Sequence, residues 1–468
     1  MTTSGTRLLR LDPRDDAQAG AAALAAALDD AEARRGDMVA DTSFLRIEQP
    51  LGTGAPVHWL RAFAGIPRMY WSDREDAFEL AGIGTAAASE GKDLAGLDDL
   101  RERVLTGEAG GRFRLVGTVR FDLDREPDPE WVSFNRARFV LPLVEMRREG
   151  DDITLAVNMR VAEGMQSGWY DVQRRTARKA LLQGAMPLRM PDTVTPHGED
   201  DDPARWGERI GALLERIEDG SLSKAVLARR MSKVMELDPI DVLEMLRAEQ
   251  PRAYHLLVQP AVGEAFVAAS PERLYRRQGS RLETEALAGT RARTLEPVAD
   301  AALADELTGC AKDRAEHALV RDHVVEALAP LADEVDAADT PAVRTLASLL
   351  HLHTPVVASL RAEVGDAQLL RALHPTPAVC GVPTERARAF LREVEPFDRG
   401  LYAGPIGCFG QDESEVAVAL RCATLRGHWV QLFAGAGIVD GSDADTEWQE
   451  TADKMKVLAD ALEAVDAR

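Results

Sequence analysis

A chain of 468 residues with 45% hydrophobic content has enough apolar surface to bury a large core, as one extensive fold or as several ordinary domains. Its formal charge of -22 sets it against nucleic-acid backbones and anionic membranes as main partners, because both would repel it; a small anionic substrate remains compatible wherever basic groups or a metal are gathered locally. The cysteines Cys310, Cys380, Cys408 and Cys422 lack the close paired spacing of a zinc site or a disulfide framework, which suits a reducing cytoplasm.

The apolar run 21–28 follows Asp15-Asp16 and precedes Asp29-Asp30, so it reads as an N-terminal helix; a signal peptide would open on a basic region. No apolar run approaches the ~20 residues of a membrane span. Residues 43–49 and 57–64 are expected as short strands, and 68–72 leads into the apolar run 78–84. Gly82 and Gly84 in that run are weighed as a nucleotide loop and as a turn between strands; the turn is favoured because a third glycine and a following βαβ pattern are missing. Residues 112–121, 137–147 and 153–157 continue the strand pattern.

Residues 191–203 shift to Pro, Thr, Gly, Glu and Asp without apolar periodicity, the mark of an exposed connection. It divides a β-rich N-terminal subdomain, 1–195, integrated into the same fold, from a catalytic region, 204–466. Trp206, Ile210, Leu213, Leu214 and Ile217 recur at helical spacing up to Gly220. Residues 223–230 read as a buried strand, with further strands at 253–259, 264–269 and 281–287 and one long helix over 298–328. Strands and helices come in clusters without regular alternation, which predicts an α+β fold, a large layered β-sheet assembly with flanking helices, over a doubly wound parallel sheet.

The richest stretch is 432–442, whose Gly435, Gly437 and Gly441 are read as a loop that lets backbone N–H groups approach a ligand, followed by a helix whose N-terminus favours an anion. In that helix Glu447 and Glu450 are three apart and Lys454 lies four beyond, so all can share a face. Such a face suits a cation held against an anionic substrate, or simply a solvated surface with an ion pair. Lys224 enters an apolar strand, where loss of water disfavours the charged form, as a general base requires; a snorkelling surface lysine is the alternative. Glu272 closes another apolar run, where partial burial would keep it protonated as a general acid; an ion pair with Arg273 is its alternative. Asp313, Glu316 and His317 offer a metal contributor or merely a charged helical turn. Arg421, a lone charge inside the strand pattern 418–423, requires a carboxylate partner from the protein or a ligand.

Residues 224–229, 270–274, Glu285-Ala286-Leu287-Ala288-Gly289-Thr290, 312–317, the run His374-Pro375-Thr376-Pro377-Ala378-Val379-Cys380-Gly381-Val382-Pro383, Arg421 and the glycine-rich stretch stand in the order found in the chorismate-utilising enzymes. The chain resembles that family strongly over 206–462, and Tyr70-Trp71 with 78–84 extend the likeness into the N-terminal third. The resemblance is narrowest to the isochorismate-forming branch, and it implies the anthranilate synthase large-subunit fold, a Mg²⁺ cofactor and chorismate as substrate. It further implies that Lys224 activates water for attack at C2, that Glu272 protonates the departing C4 hydroxyl, and that Glu316 and Glu450 bind Mg²⁺ with Glu447 supporting through water. Gly289, Arg421, Gly435, Ala436 and Lys454 would receive the substrate, with Thr290, Ala378, Tyr402 and His351 beside them. Menaquinone, catecholate siderophore and salicylate pathways all use such an enzyme, and monomer and homodimer are both compatible.

Particular positions separate the branches. Aminodeoxychorismate synthases are expected to carry a nucleophilic lysine where this chain has Ala288, and anthranilate synthases generally lack the lysine matched by Lys224. Salicylate synthases keep both Lys224 and Glu272 but typically show a lysine where this chain has Thr384. Cys380 replaces a usual serine and Cys408 a common aromatic, departures that touch the pocket more than the reaction. A catalytically silent chorismate-binding protein would not need the acid and base together. A nucleotide module at 432–442 would face repulsion from the acids that follow, and the spacing after Asp440 misses the glycine turn of an EF-hand.

Overall fold

The strand-forming runs assemble into two large sheets in a computed structural model that describes residues 5–33, 42–91, 93–107, 109–161, 167–183, 200, 202–294, 296–345 and 349–466. The first sheet has 12 strands, in the order 5–10, 42–51, 152–160, 144–149, 78–83, 68–72, 254–261, 264–270, 422–426, 429–438, 224–234 and 381–382. The second has 10: the path 332–337, 349–360, 281–292, 273–278, 413–418, 405–409, 115–119, 137–141 and 87–91, with 342–345 added beside 349–360. Pairing is antiparallel except between Gly5–Arg10 and Thr42–Leu51. Strands from before and after the 191–203 connection pair in both sheets: Arg68–Ser72 lies against Tyr254–Ala261, and Leu115–Val119 against Pro405–Phe409. The connection itself falls almost wholly outside the described residues. The fold is α+β, sheet layers with flanking helices, and its core takes in Trp71, Trp131 and Trp206.

Several elements differ from their sequence expectations for identifiable reasons. Residues 57–64 are helical, as Pro56–Trp59 and a 3₁₀ turn Leu60–Phe63, because Pro56 pre-sets the first turn and the Trp59 and Phe63 rings pack i to i+4 at 4.8 Å. Residues 137–147 split at Pro142, with Ala137–Leu141 in the ten-stranded sheet and Val144–Glu149 in the other; a proline has no N–H for the ladder. The long helix is two, Pro297–Gly309 and Ala311–Leu328, separated by an extended Cys310. Helices Ala95–Val104, Ser167–Gln183 and Pro239–Glu249 also form without having been anticipated. The last carried a legible start signal: Asp238 caps it, accepting from the Ile240 N–H at 2.7 Å, and Pro239 follows. No helix among the described residues is long and apolar enough to cross a membrane.

One feature of the topology positions the chemistry. Glu264–Ser270 and Cys422–Arg426 lie side by side in the twelve-stranded sheet, with Ala268 opposite Cys422. Their continuations, Arg273–Gln278 and Glu413–Val418, lie side by side in the ten-stranded sheet, with Arg273 opposite Ala417. Two neighbouring strands therefore change sheets together, through Pro271-Glu272 in one and residues 419–421 in the other, a corner that needs a break in regular backbone. The Val418 N–H donates to Glu272 O at 3.1 Å, the Ala269 N–H to Arg421 O at 3.2 Å, and Ser270 Oγ to Val418 O, so the corner stays hydrogen-bonded.

Candidate active site

Lys224 begins the strand Lys224–Val234 and is only 1% exposed. It lies opposite Val382 on one side, and the next residues pair with Trp429–Ile438 on the other, Ala225 with Ile438 and Val226 with Gly437. Its Nζ donates to Glu316 Oε1 at 2.7 Å, so the surface-lysine alternative does not hold. A Cβ on Gly437 would stand 3.1 Å from Lys224 Cε and 3.2 Å from Glu316 Oε1; this glycine keeps the space in which the pair forms.

The glycine-rich stretch is thus a strand through Ile438, a correction to the loop expected there. It pairs along its whole length with Lys224–Val234, but with Cys422–Arg426 only over residues 429–432. Beyond Leu432 one edge is open, and Gly435 O on that edge accepts from Lys454 Nζ at 2.9 Å. The helix that follows, Ala444–Asp466, does not present a bare anion site: Asp443 accepts from the Thr446 N–H at 2.9 Å and Oγ1 at 2.8 Å, placing a protein carboxylate at the positive end.

Glu272 stands in the corner between the sheets, half-buried. Burial, and next the charge of Glu285, push its carboxyl up to about 7, with Lys224 pulling the other way. The ion pair with Arg273 does not form, since that guanidinium reaches Glu75 at 2.8 Å and Glu415 at 3.0 Å. A carboxyl that keeps its proton near neutrality, within electrostatic reach of a buried lysine, is the arrangement an acid and base pair needs.

Of Asp313, Glu316 and His317 on Ala311–Leu328, Glu316 alone meets Lys224; Asp313 accepts from Arg291 at 2.8 Å and His317 Nε2 lies 2.8 Å from Thr354 Oγ1. Glu447 is buried, and burial followed by the charge of Glu450 pushes its carboxyl up. Glu450 is exposed and paired with Lys454 at 2.6 Å. Among the described residues, the group of three acids whose oxygens lie within 4.8 Å of one another is Asp73, Glu75 and Glu415, whereas Glu316 and Glu450 are each turned to a lysine. The donor set Glu316, Glu447 and Glu450 is nonetheless all carboxylate oxygen, and the crowding of like charge at Glu447 is what a hard cation relieves.

Arg421 is not within a strand. It occupies the bend of the corner at φ 46, and its Nη1 donates to the Gln250 side-chain oxygen at 2.5 Å instead of the expected protein carboxylate. Burial lowers its pKa. His351, opposite Thr290, is driven to about 4 by burial and then by Arg421 and Lys454, against a hydrogen bond with the Gly289 backbone, so it is a neutral imidazole near two cations. Gly289 has φ 72 at a break in register between Ala288 and Thr290; the Thr290 side chain lies outside the described residues. Ala378 packs on Ala286, Ala288 and Val320. Tyr402 stacks on Phe433 at 5.4 Å, and a Cβ at Gly435 would come 2.9 Å from its hydroxyl; Ala436 beside it is buried. Cys380 and Cys408 are buried thiols that burial pushes up to about 12, protonated and unsuited to act as nucleophiles. Gln250 and Arg74 also belong to this region and were not singled out from sequence; each acts through contacts that no local pattern encodes.

A family model described as chorismate binding enzyme matches residues 30–463. The chain is 33% identical over 451 residues to isochorismate synthase 2, chloroplastic, of Arabidopsis thaliana, covering 89% of this chain and 79% of that protein. Among solved structures it is similar to MenF, the menaquinone-specific isochorismate synthase from Escherichia coli, with a TM-score of 0.79 and 28% identity, over 94% of this chain and 99% of the other. It shares its fold with anthranilate synthase component I from Streptococcus pneumoniae TIGR4, with a TM-score of 0.65 and 22% identity over 82% and 92% of the two chains.

Proposed function

The chain belongs to the chorismate binding enzyme family and interconverts chorismate and isochorismate, and from that premise we propose how its own residues divide the reaction. Lys224 takes a proton from the water that attacks C2, and Glu272 gives a proton to the hydroxyl leaving C4 as the ring double bonds shift; the reverse reaction exchanges the two roles. Protons and oxygen balance, since one water enters and one leaves. The observation that carries this division is that Glu272 holds its proton to about 7 in the sheet corner, while the buried Lys224 is close enough to act on its charge.

Arg421 and Lys454 supply the positive charge for a substrate carboxylate, and the backbone at Gly289, Thr290, Gly435 and Ala436 lines the same space, with Ala378, Tyr402 and His351 as walls. Glu316 and Glu450 would hold Mg²⁺, with Glu447 supporting; a cation bound there would supply charge to neutralise a substrate carboxylate. The free cysteines suit a reducing cytoplasm as the location. Thr384, in place of the lysine typical of salicylate-forming relatives, supports a reaction that stops at isochorismate. Incubating the protein with chorismate and Mg²⁺ should give an equilibrium mixture of the two isomers without pyruvate, followed by chromatography and a lactate dehydrogenase couple. Pyruvate released together with salicylate would reassign it to the salicylate-forming branch.

A further inference from the structure

Glu272 is flanked by two peptide groups that end on one ion pair. Arg74, in the turn between Arg68–Ser72 and Phe78–Ile83 of the twelve-stranded sheet, donates Nη1 to Pro271 O at 3.2 Å. The same guanidinium grips Glu285 bidentately, Nη1 to Oε1 at 2.6 Å and Nη2 to Oε2 at 3.1 Å. Glu285, on Arg281–Ala292 of the ten-stranded sheet, accepts from the Arg273 N–H at 3.3 Å. The pair thus ties the sheets together at the corner, holding the chain just before and just after Glu272.

The clamp is itself fixed. Arg344 Nη1 donates to Glu285 at 2.7 Å, His353 Nε2 lies 3.2 Å from the same oxygen, and the Arg74 guanidinium sits over the Tyr254 ring at 5.5 Å. Burial alone would push the Glu285 carboxyl up, but the hydrogen bonds from His353 and Arg74 and the charges of Arg74 and Arg344 overcome it and hold Glu285 well below the usual carboxylate range. Glu285 therefore stays ionised. Within electrostatic reach of Glu272 are this carboxylate from one strand, Lys224 from another and the Tyr402 hydroxyl from a third segment.

We propose that Arg74 and Glu285 are positioning residues for the general acid: together they fix the peptide on each side of Glu272 and keep a permanent negative charge behind its carboxyl. This rests on Glu272 being the acid, as argued above. Misaiming a reacting group by ~1 Å costs up to ~10²-fold. Arg74→Ala should therefore lower kcat by ~10-fold or more with the chorismate Kd changed by less than ~3-fold, and Arg74→Lys, which keeps charge but not the bidentate grip, should recover only part. Glu285→Gln keeps the shape and removes the charge, so the high-pH limb of kcat, where the acid loses its proton, should move to lower pH by ~0.5 or more. A merely structural pair would lower the melting temperature and leave that limb in place. Folded Arg74→Ala and Glu285→Gln proteins with wild-type kcat and wild-type pH limb would overturn the proposal. If Glu285→Gln does not fold, Arg74→Ala decides alone. Glu272→Gln, measured alongside, separates the two ideas: an active Glu272→Gln removes the acid assignment itself, whereas an inactive one with fully active clamp variants removes only the clamp.

Discussion

Lys224 lies on a regular strand and its ammonium is held end-on by Glu316 at 2.7 Å, whereas Glu272 lies in a break between two sheets and is held through the backbone on either side of it. The proposed base is controlled by a partner on its reacting atom and the proposed acid by partners on its chain. A base whose ammonium donates to a neighbouring carboxylate is sensitive to the charge of that neighbour. An acid whose carboxyl has no tight partner among the described residues is sensitive to where the chain points it and to the fixed charge near it. Regular strand suffices for the first, while the second needs a corner, where the backbone is free to leave the ladder.

The largest effect expected is on the carboxylates proposed to hold Mg²⁺, one of which also holds Lys224. Glu316→Ala and Glu450→Ala should abolish Mg²⁺-dependent turnover while unfolding stays cooperative, because an octahedral ion tolerates little loss of its oxygen shell. Calorimetric Mg²⁺ titration checks this; unchanged affinity and activity in both variants would remove these acids as ligands. Next is the acid side: Glu272→Gln should cost ~10³-fold in kcat, and Lys224→Ala ~10²-fold, both within the range for a positioned acid or base, with chorismate Kd little affected. Lys224→Arg should fail as Lys224→Ala does, since a guanidinium does not release its proton in this range. Near-native turnover by Lys224→Arg would show that position 224 supplies charge only and would erase the contrast between the two sides.

The smallest effect is on stability. Glu272 is raised in the folded protein to about 7 from an ordinary 4.5, so its contribution to stability is fully present below 4.5 and is lost as pH rises through about 7. Glu272→Gln should accordingly be more stable than wild type by about 3 kcal/mol at pH 8 and no more stable at pH 4, with urea midpoints at the two pH values as the readout. Equal differences at both pH values would mean the carboxyl is not held protonated by its surroundings.

What could be read in the sequence follows the same division. Lys224 stood out as a charge entering an apolar strand, and Glu272 as an acid ending one, because burial of a single element leaves a local pattern. Order among the motifs then supplied Glu316, Glu450 and Lys454. The clamp left no such trace: Arg74 and Pro271 are 197 positions apart, and only the pairing of Arg68–Ser72 with Tyr254–Ala261 brings them together. Residues 418–423 looked like one strand because both halves are apolar, yet the chain changes sheets there and Arg421 takes a positive φ. Gly435 and Gly437 suggested a loop because glycine is common in loops; here they thin a strand so that Tyr402 and the Lys224–Glu316 pair can approach it. Local composition reports burial, whereas sheet switching is decided by partners far away in the chain.

Separate residues are proposed to serve an entering and a leaving oxygen, and isotope transfer tests this most directly. Chorismate turned over briefly in H₂¹⁸O, with the isochorismate analysed by mass spectrometry, should give product carrying one ¹⁸O, located at C2, while unreacted chorismate at early times carries none. Isochorismate that retains the original unlabelled oxygen would mean that the C4 hydroxyl migrates within the substrate, and a water-activating base opposite a departing-group acid would have no place in the reaction.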